Sequence, residues 1–177
     1  MSDYDGRPGP DEYAPFYAGY VARVPAGGLV ELLARQVVDT RRLLDGLSGT
    51  EAEYAYAPGK WTIKEVVGHV ADGERVFAYR ALRFARGDAT ELPGFDENRY
   101  VPAGRFGDRS LGDLLDELVA VRDATVRLLA GLPAEAWERR GVASGSAVSV
   151  RALACITAGH ELHHRSILEE RYGVRRR

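Results

Sequence analysis

Cysteine is nearly absent. Cys155 stands alone, which rules out an intrachain disulfide and makes a reducing cytoplasm the expected location. Lysine is almost as scarce: Lys60 and Lys64 are the only two, so arginine carries nearly all the basic charge. No run of about 18 apolar residues exists, so no membrane-spanning helix is expected. The first ten residues hold no apolar signal core. There is no excess of positive charge either. The net charge is −2, which leaves nucleic acid without an electrostatic footprint. No repeat, low-complexity block or dividing linker is present. The 177 residues read as one domain, 1–177, with 1–12 expected to be flexible. The expected partner is a small-molecule substrate.

What the chain does contain is helical periodicity. Leu29, Leu33, Gln36, Val37, Thr40, Leu43, Leu44 and Leu47 follow 3.6-residue spacing, predicting a helix over 29–47 that Ser48-Gly49 would stop. Thr62-Ile63-Lys64-Glu65 is a capping-box pattern and opens a second helix running to about Arg86. Ser110-Leu111-Gly112-Asp113 opens a third, and Ser149 caps a fourth from Val150 to about Tyr172. The stretch 141–147 reads as a small-residue loop. Of residues 1–27, rich in Gly, Pro and Tyr, the part after the first ten reads as an aromatic strap lying on the bundle, with a short helix around residues 14–21 as the alternative. Four amphipathic helices with unequal loops predict an all-α four-helix bundle.

The chemistry concentrates in Gly159-His160-Glu161-Leu162-His163-His164. At about 100° per residue, His160 and His164 share a face with Leu153, Ile156 and Thr157. An i, i+4 pair sets two imidazoles one turn apart, the spacing a metal chelate needs. Of the four histidines, His69 remains, on the flank of the second helix's apolar stripe. Three neutral imidazoles would leave positions open for water or substrate and suit Zn, Ni or Fe(II). Histidines held in a polar core network are the alternative. His163, i+3 from His160, is the rival ligand; it points to the helix edge and is expected to support the pair or face solvent, and Glu161 lies further round. Cys155 points away from the histidine face and reads as an inert small residue or a partner-facing thiol.

Other polar residues fall inside apolar stripes. Glu74 on the second helix and Arg122 on the third each need a partner if buried, and are expected to pair. Glu65 is read first as a cap and second as support for His69. The stretch 87–109 lacks clear periodicity and exceeds the roughly 12–15 residues usual for a loop, which suggests a lid. On it, Asp96, Glu97 and Arg99 could reach a ligand or stay as solvated charges, and Asp96 or Tyr100 is the expected substrate contact.

These residues together resemble the DinB-like superfamily of DinB/YfiT-like metalloenzymes. The resemblance is carried by Gly59-Lys60-Trp61-Thr62-Ile63-Lys64-Glu65-Val66-Val67-Gly68-His69-Val70-Ala71-Asp72-Gly73-Glu74-Arg75 and by Gly159 to His164. Leu118-Val119-Ala120-Val121-Arg122-Asp123-Ala124-Thr125 is also similar, and the match spans about residues 15–172. It implies an up-down-down-up bundle with a long crossover loop between helices 2 and 3. It also implies a divalent metal on His69, His160 and His164. Homodimers are common among such proteins. Some are transferases and isomerases using a low-molecular-weight thiol: bacillithiol, mycothiol or glutathione. The chain is therefore expected to be a metal-dependent thiol S-transferase or related hydrolase. A non-catalytic metal-binding or stress-response module is the competing expectation, and a helical scaffold a third.

Overall fold

The structure, a computed structural model, describes residues 6–175. Four long helices dominate: α1 (Leu29–Leu44), α2 (Ile63–Ala85), α3 (Leu111–Ala130) and α4 (Val150–Glu170). Three begin where the sequence places a cap. Thr62, Ser110 and Ser149 each accept a hydrogen bond from the backbone N–H three residues on. Glu65 closes the reciprocal half of the α2 box by accepting from Thr62 N at 2.7 Å.

Both α1 and α2 pack against α3 and α4. Helices consecutive in the chain, α1 and α2, therefore stand diagonally across the bundle. Their apolar faces form two separate clusters. One surrounds Leu33, Phe77, Phe84, Trp137 and Ile156; the other surrounds Leu44, Ile63, Val67, Leu118 and Leu168. Each fully buried side chain of this size contributes about 1.5–3 kcal/mol. Between the clusters lies a polar layer drawn from every helix: Gln36 and Thr40, Glu74, Arg122, then His160, Glu161 and His164, all buried.

Several expectations need correction. Helix α1 stops at Leu44 rather than residue 47, because Gly46 turns left-handed at φ 81°. Ser48 then caps a further turn, Gly49–Ala52, instead of ending the first helix. The small-residue loop is a hairpin: β1 (Arg140–Ala143) pairs antiparallel with β2 (Ser146–Ser149). Ser144 and Gly145 make its two-residue turn with φ of 54° and 73°, the paired positive angles of a type I′ turn. The crossover 87–109 is not structureless. Leu92 bridges the hairpin through Val142 O and Ser144 N, Asp96 caps the helix Glu97–Gly104, and a 3-10 turn covers Phe106–Asp108.

The flexible stretch expected over 1–12 is also revised in its second part; residues 1–5 lie outside the described residues. Glu12 is buried on Arg151 of α4, with oxygens 2.5 and 2.6 Å from the guanidinium nitrogens. Burial raises the Glu12 carboxyl. Hydrogen bonds from Arg151, Gly9 N–H and Ser149 outweigh that and hold it at about 2. The strap then continues through Pro15–Tyr17 and the short helix Ala18–Val21, which lies on α4.

Candidate metal centre

The strap reaches α4 at Gly159, immediately before the first histidine of the pair. A Cβ on Gly159 would sit 2.1 Å from Tyr20 O. Only glycine permits this approach of backbone to helix. The strap thereby brings the Tyr20 ring to 5.4 Å from His160. Gly73 makes a second allowance on α2, where a Cβ would stand 3.0 Å from the His160 ring.

His69 from α2 meets His160 and His164 from α4 between these surfaces. One ligand atom from each ring lies within 4.8 Å of the others, and His69 Nε2 faces His160 Nε2 at 3.0 Å. The three residues are only 7, 4 and 8 % exposed. Aromatic packing holds the rings: Trp61 is 4.7 Å from His69, and Phe77 is 5.6 Å from His160. Burial disfavours the imidazolium form. It lowers His69 to about 4 against a small upward push from Glu97, and holds His160 and His164 well below the ordinary value. The cluster is thus neutral at physiological pH, with lone pairs available and no proton to displace. That is the state a metal ligand needs. Two imidazole nitrogens facing each other at hydrogen-bond distance also fit a shared cation in chemical terms. Three nitrogens from rigid helices suit a divalent ion that accepts imidazole, such as Zn, Ni or Fe(II).

A small cavity of about 150 Å³ opens beside the triad, reaching His69 and His160. Its walls are Phe16, Tyr17, Tyr20, Phe77 and Phe95, with Glu97 and Ser144. A metal on the three histidines would therefore keep an accessible side.

One residue from His160, the chemistry changes completely. Arg122 is fully buried and donates from Nε and Nη2 to the two Glu74 oxygens, each at 2.8 Å. Its Nη1 donates to Leu33 O at 2.8 Å. Glu161 Oε2 lies 2.7 Å from Nη2, close enough for an ion pair but outside hydrogen-bond alignment. Thr40 Oγ1 donates to the other Glu161 oxygen at 2.5 Å. Burial weakens the Arg122 charge, and the carboxylates of Glu161 and Glu74 more than restore it. This network joins all four long helices.

The structure brings His69, His160 and His164 together, and Glu74 with Arg122. Of the remaining site candidates, His163 alone reaches the edge of the triad, its ring 5.1 Å from that of His164. Glu65 spends its carboxylate on the α2 cap. His163 is half-buried beside Tyr20, 5.2 Å between ring centres, off the point where the other three converge. Asp96 caps the crossover helix by accepting from Asn98 N, and Tyr100 is exposed against Phe95. The crossover residues that do line the cavity are their neighbours Phe95 and Glu97. Trp61, Tyr20 and Glu161 were not singled out as site residues by the spacing of the histidines. Trp61 stands next to the α2 capping box, the one sequence signal that could have placed it. Cys155 is buried and its thiol is pushed up to about 11, so it is inert.

The model of the DinB superfamily matches residues 32–168. The chain belongs to the DinB superfamily. Among solved structures it is similar to YfiT from Bacillus subtilis, described as a probable metal-dependent hydrolase with an unusual four-helix bundle topology. That likeness has a TM-score of 0.73 at 17 % identity and covers 83 % of this chain and 87 % of YfiT. It establishes the bundle fold. No curated protein sequence gives a significant match. Among the described residues, no helix of this DinB protein is long and apolar enough to cross a membrane.

Proposed function

We propose that this DinB protein is a metal-dependent enzyme acting on a small molecule, with His69, His160 and His164 holding one divalent cation. The observation that carries the reading is the meeting of three buried, neutral imidazoles beside a cavity. Bound there, such a cation supplies Lewis acidity, enough to make a nucleophile of water or of a thiol near neutral pH. The protein's own contribution is geometric and electrostatic. Helices α2 and α4 fix the donors on rigid elements. Trp61 and Phe77 wall the rings on two sides and exclude water. Tyr20 covers His160 from the strap, leaving the cavity as the approach.

Hydrolysis and thiol-dependent transfer both fit this arrangement. The description of YfiT supports the first, and the characterised thiol-using members of the superfamily support the second. The test is a panel of esters, amides and carbon electrophiles offered to zinc-, nickel- and iron-loaded protein, with and without glutathione, mycothiol or bacillithiol. Turnover only with a thiol identifies a transferase; turnover with water alone identifies a hydrolase. In either case His164→Ala is expected to abolish it. Turnover that survives His164→Ala would remove the metal from the account. We further propose a homodimer, which light scattering on a size-exclusion column checks directly.

A further inference from the structure

The walls of the cavity carry a chemical signature of their own. Five aromatic side chains, Phe16, Tyr17, Tyr20, Phe77 and Phe95, surround a space that contains one carboxylate, Glu97. The rings are not stacked on one another. Tyr17 meets Phe77 edge-on at 6.2 Å, Phe16 meets Tyr17 edge-on at 5.2 Å, and Phe77 meets Phe95 edge-on at 6.5 Å. Such rings present π faces in several directions around one volume. The negative face of an aromatic ring attracts a cation within about 6 Å of its centre.

Glu97 strengthens this signature. It is half-buried and forms no ion pair among the described residues. It lines the cavity together with Tyr20 and His69. An unpaired carboxylate against apolar rings calls for a positive partner. The arginine beside Phe95 does not fill that role. Arg80 is buried, donates to Pro93 O and Ser144 Oγ, and sits 5.9 Å from the Phe95 centre. Its guanidinium is engaged at the Phe95 and Ser144 part of the wall rather than on Glu97, leaving Tyr17, Tyr20 and Phe77 for a ligand.

We infer that this cavity recognises a small ammonium group, so that the substrate of the enzyme proposed above is a cationic or zwitterionic amine. The inference names the substrate class for that same site and rests on its reading as the substrate entrance. The volume, about 150 Å³, is below the roughly 300–1,000 Å³ of ordinary ligand pockets and admits a headgroup, not a large ligand. The ammonium sits among the rings with Glu97 as counter-charge, and the rest of the substrate extends toward His160. Glu97 also offsets the repulsion a cation on the histidines would exert.

The test compares choline with 3,3-dimethylbutan-1-ol, which has the same shape without the charge. Both are titrated into the metal-free full chain and followed by ¹H–¹⁵N chemical-shift changes. Choline is expected to bind at least about fivefold more tightly. Glu97→Gln and Tyr17→Leu are each expected to reduce that preference while circular dichroism shows unchanged helix content. Equal affinity for the two compounds, binding of neither, or a preference unchanged in both variants overturns the inference. A parallel zinc titration separates this from the metal reading. Zinc uptake without a choline preference sinks the ammonium site alone, and a choline preference without zinc uptake sinks the metal centre alone.

Discussion

Two polar clusters lie in the middle of one bundle, one residue apart on α4, and they solve opposite problems. His160 belongs to a group of neutral bases gathered with no acid to answer them. Glu161 belongs to a group in which Arg122 meets two carboxylates, with Thr40 and the Leu33 carbonyl completing the contacts. The second cluster carries its own cation: the Arg122 guanidinium lies against both carboxylates. The first is open, since three ring nitrogens lie within 4.8 Å of one another and the protein places no cation among them. Burial alone therefore does not mark a functional site. What distinguishes the two is whether the protein itself supplies the cation that the cluster's acceptors face.

The sharpest way to break this contrast is to remove Arg122. Arg122→Met leaves Glu74 and Glu161 buried without their cation and is expected to cost about 3–5 kcal/mol or to prevent folding, read from urea denaturation. A loss below about 1 kcal/mol would show that the charge network is not what locks the helices. The histidine cluster should behave in the reverse manner. His69→Ala is expected to change metal-free stability little but to abolish stabilisation by zinc. In the wild type that stabilisation is about 2.7 kcal/mol when free zinc is a hundredfold above Kd.

A third substitution probes how the strap closes the open cluster. Gly159→Ala sets a Cβ 2.1 Å from the Tyr20 carbonyl, a backbone atom that no rotamer change can move aside. It is expected to displace the segment around Ala18–Val21 and speed proteolysis before residue 25, with the α2–α3 contact intact. Unaltered cleavage would mean that the strap does not depend on this approach.

A fourth expected effect is on pH. In the fold, burial holds His69 near 4, below the ordinary 6.5. The unfolded chain therefore binds protons first as pH falls. The contribution of His69 is full above about 6.5 and drains away between 6.5 and 4, with His160 and His164 acting in the same direction. Metal-free protein should lose stability across that window, and His69→Ala should lose less. An identical pH profile in the variant would contradict the neutral, buried state assigned to the triad.

Much of this was legible in the sequence, for reasons that also explain what was not. The Thr62–Glu65 box and the His160–His164 spacing are local patterns set by helix geometry, so they can be read without knowing the fold. Glu161 was harder. A helical wheel moves it off the apolar stripe, yet residues 152–161 of α4 are all buried, because the bundle covers one side and the N-terminal strap the other. The wheel presumes a solvent face that this helix lacks there. The hairpin was obscured by strands of only four residues each, too short to show alternation. Glu97 could not be told from the solvated charges beside it, since its position depends on where the crossover docks.

The most direct measurement is the metal content of untagged, dialysed protein by inductively coupled plasma mass spectrometry, beside His69→Ala, His160→Ala and His163→Ala. The account expects close to one equivalent of a divalent transition metal in the wild type and in His163→Ala, and none in the folded His69→Ala and His160→Ala variants. Wild-type protein that stays metal-free after incubation with zinc, nickel and ferrous iron would contradict it. So would metal that survives loss of His160.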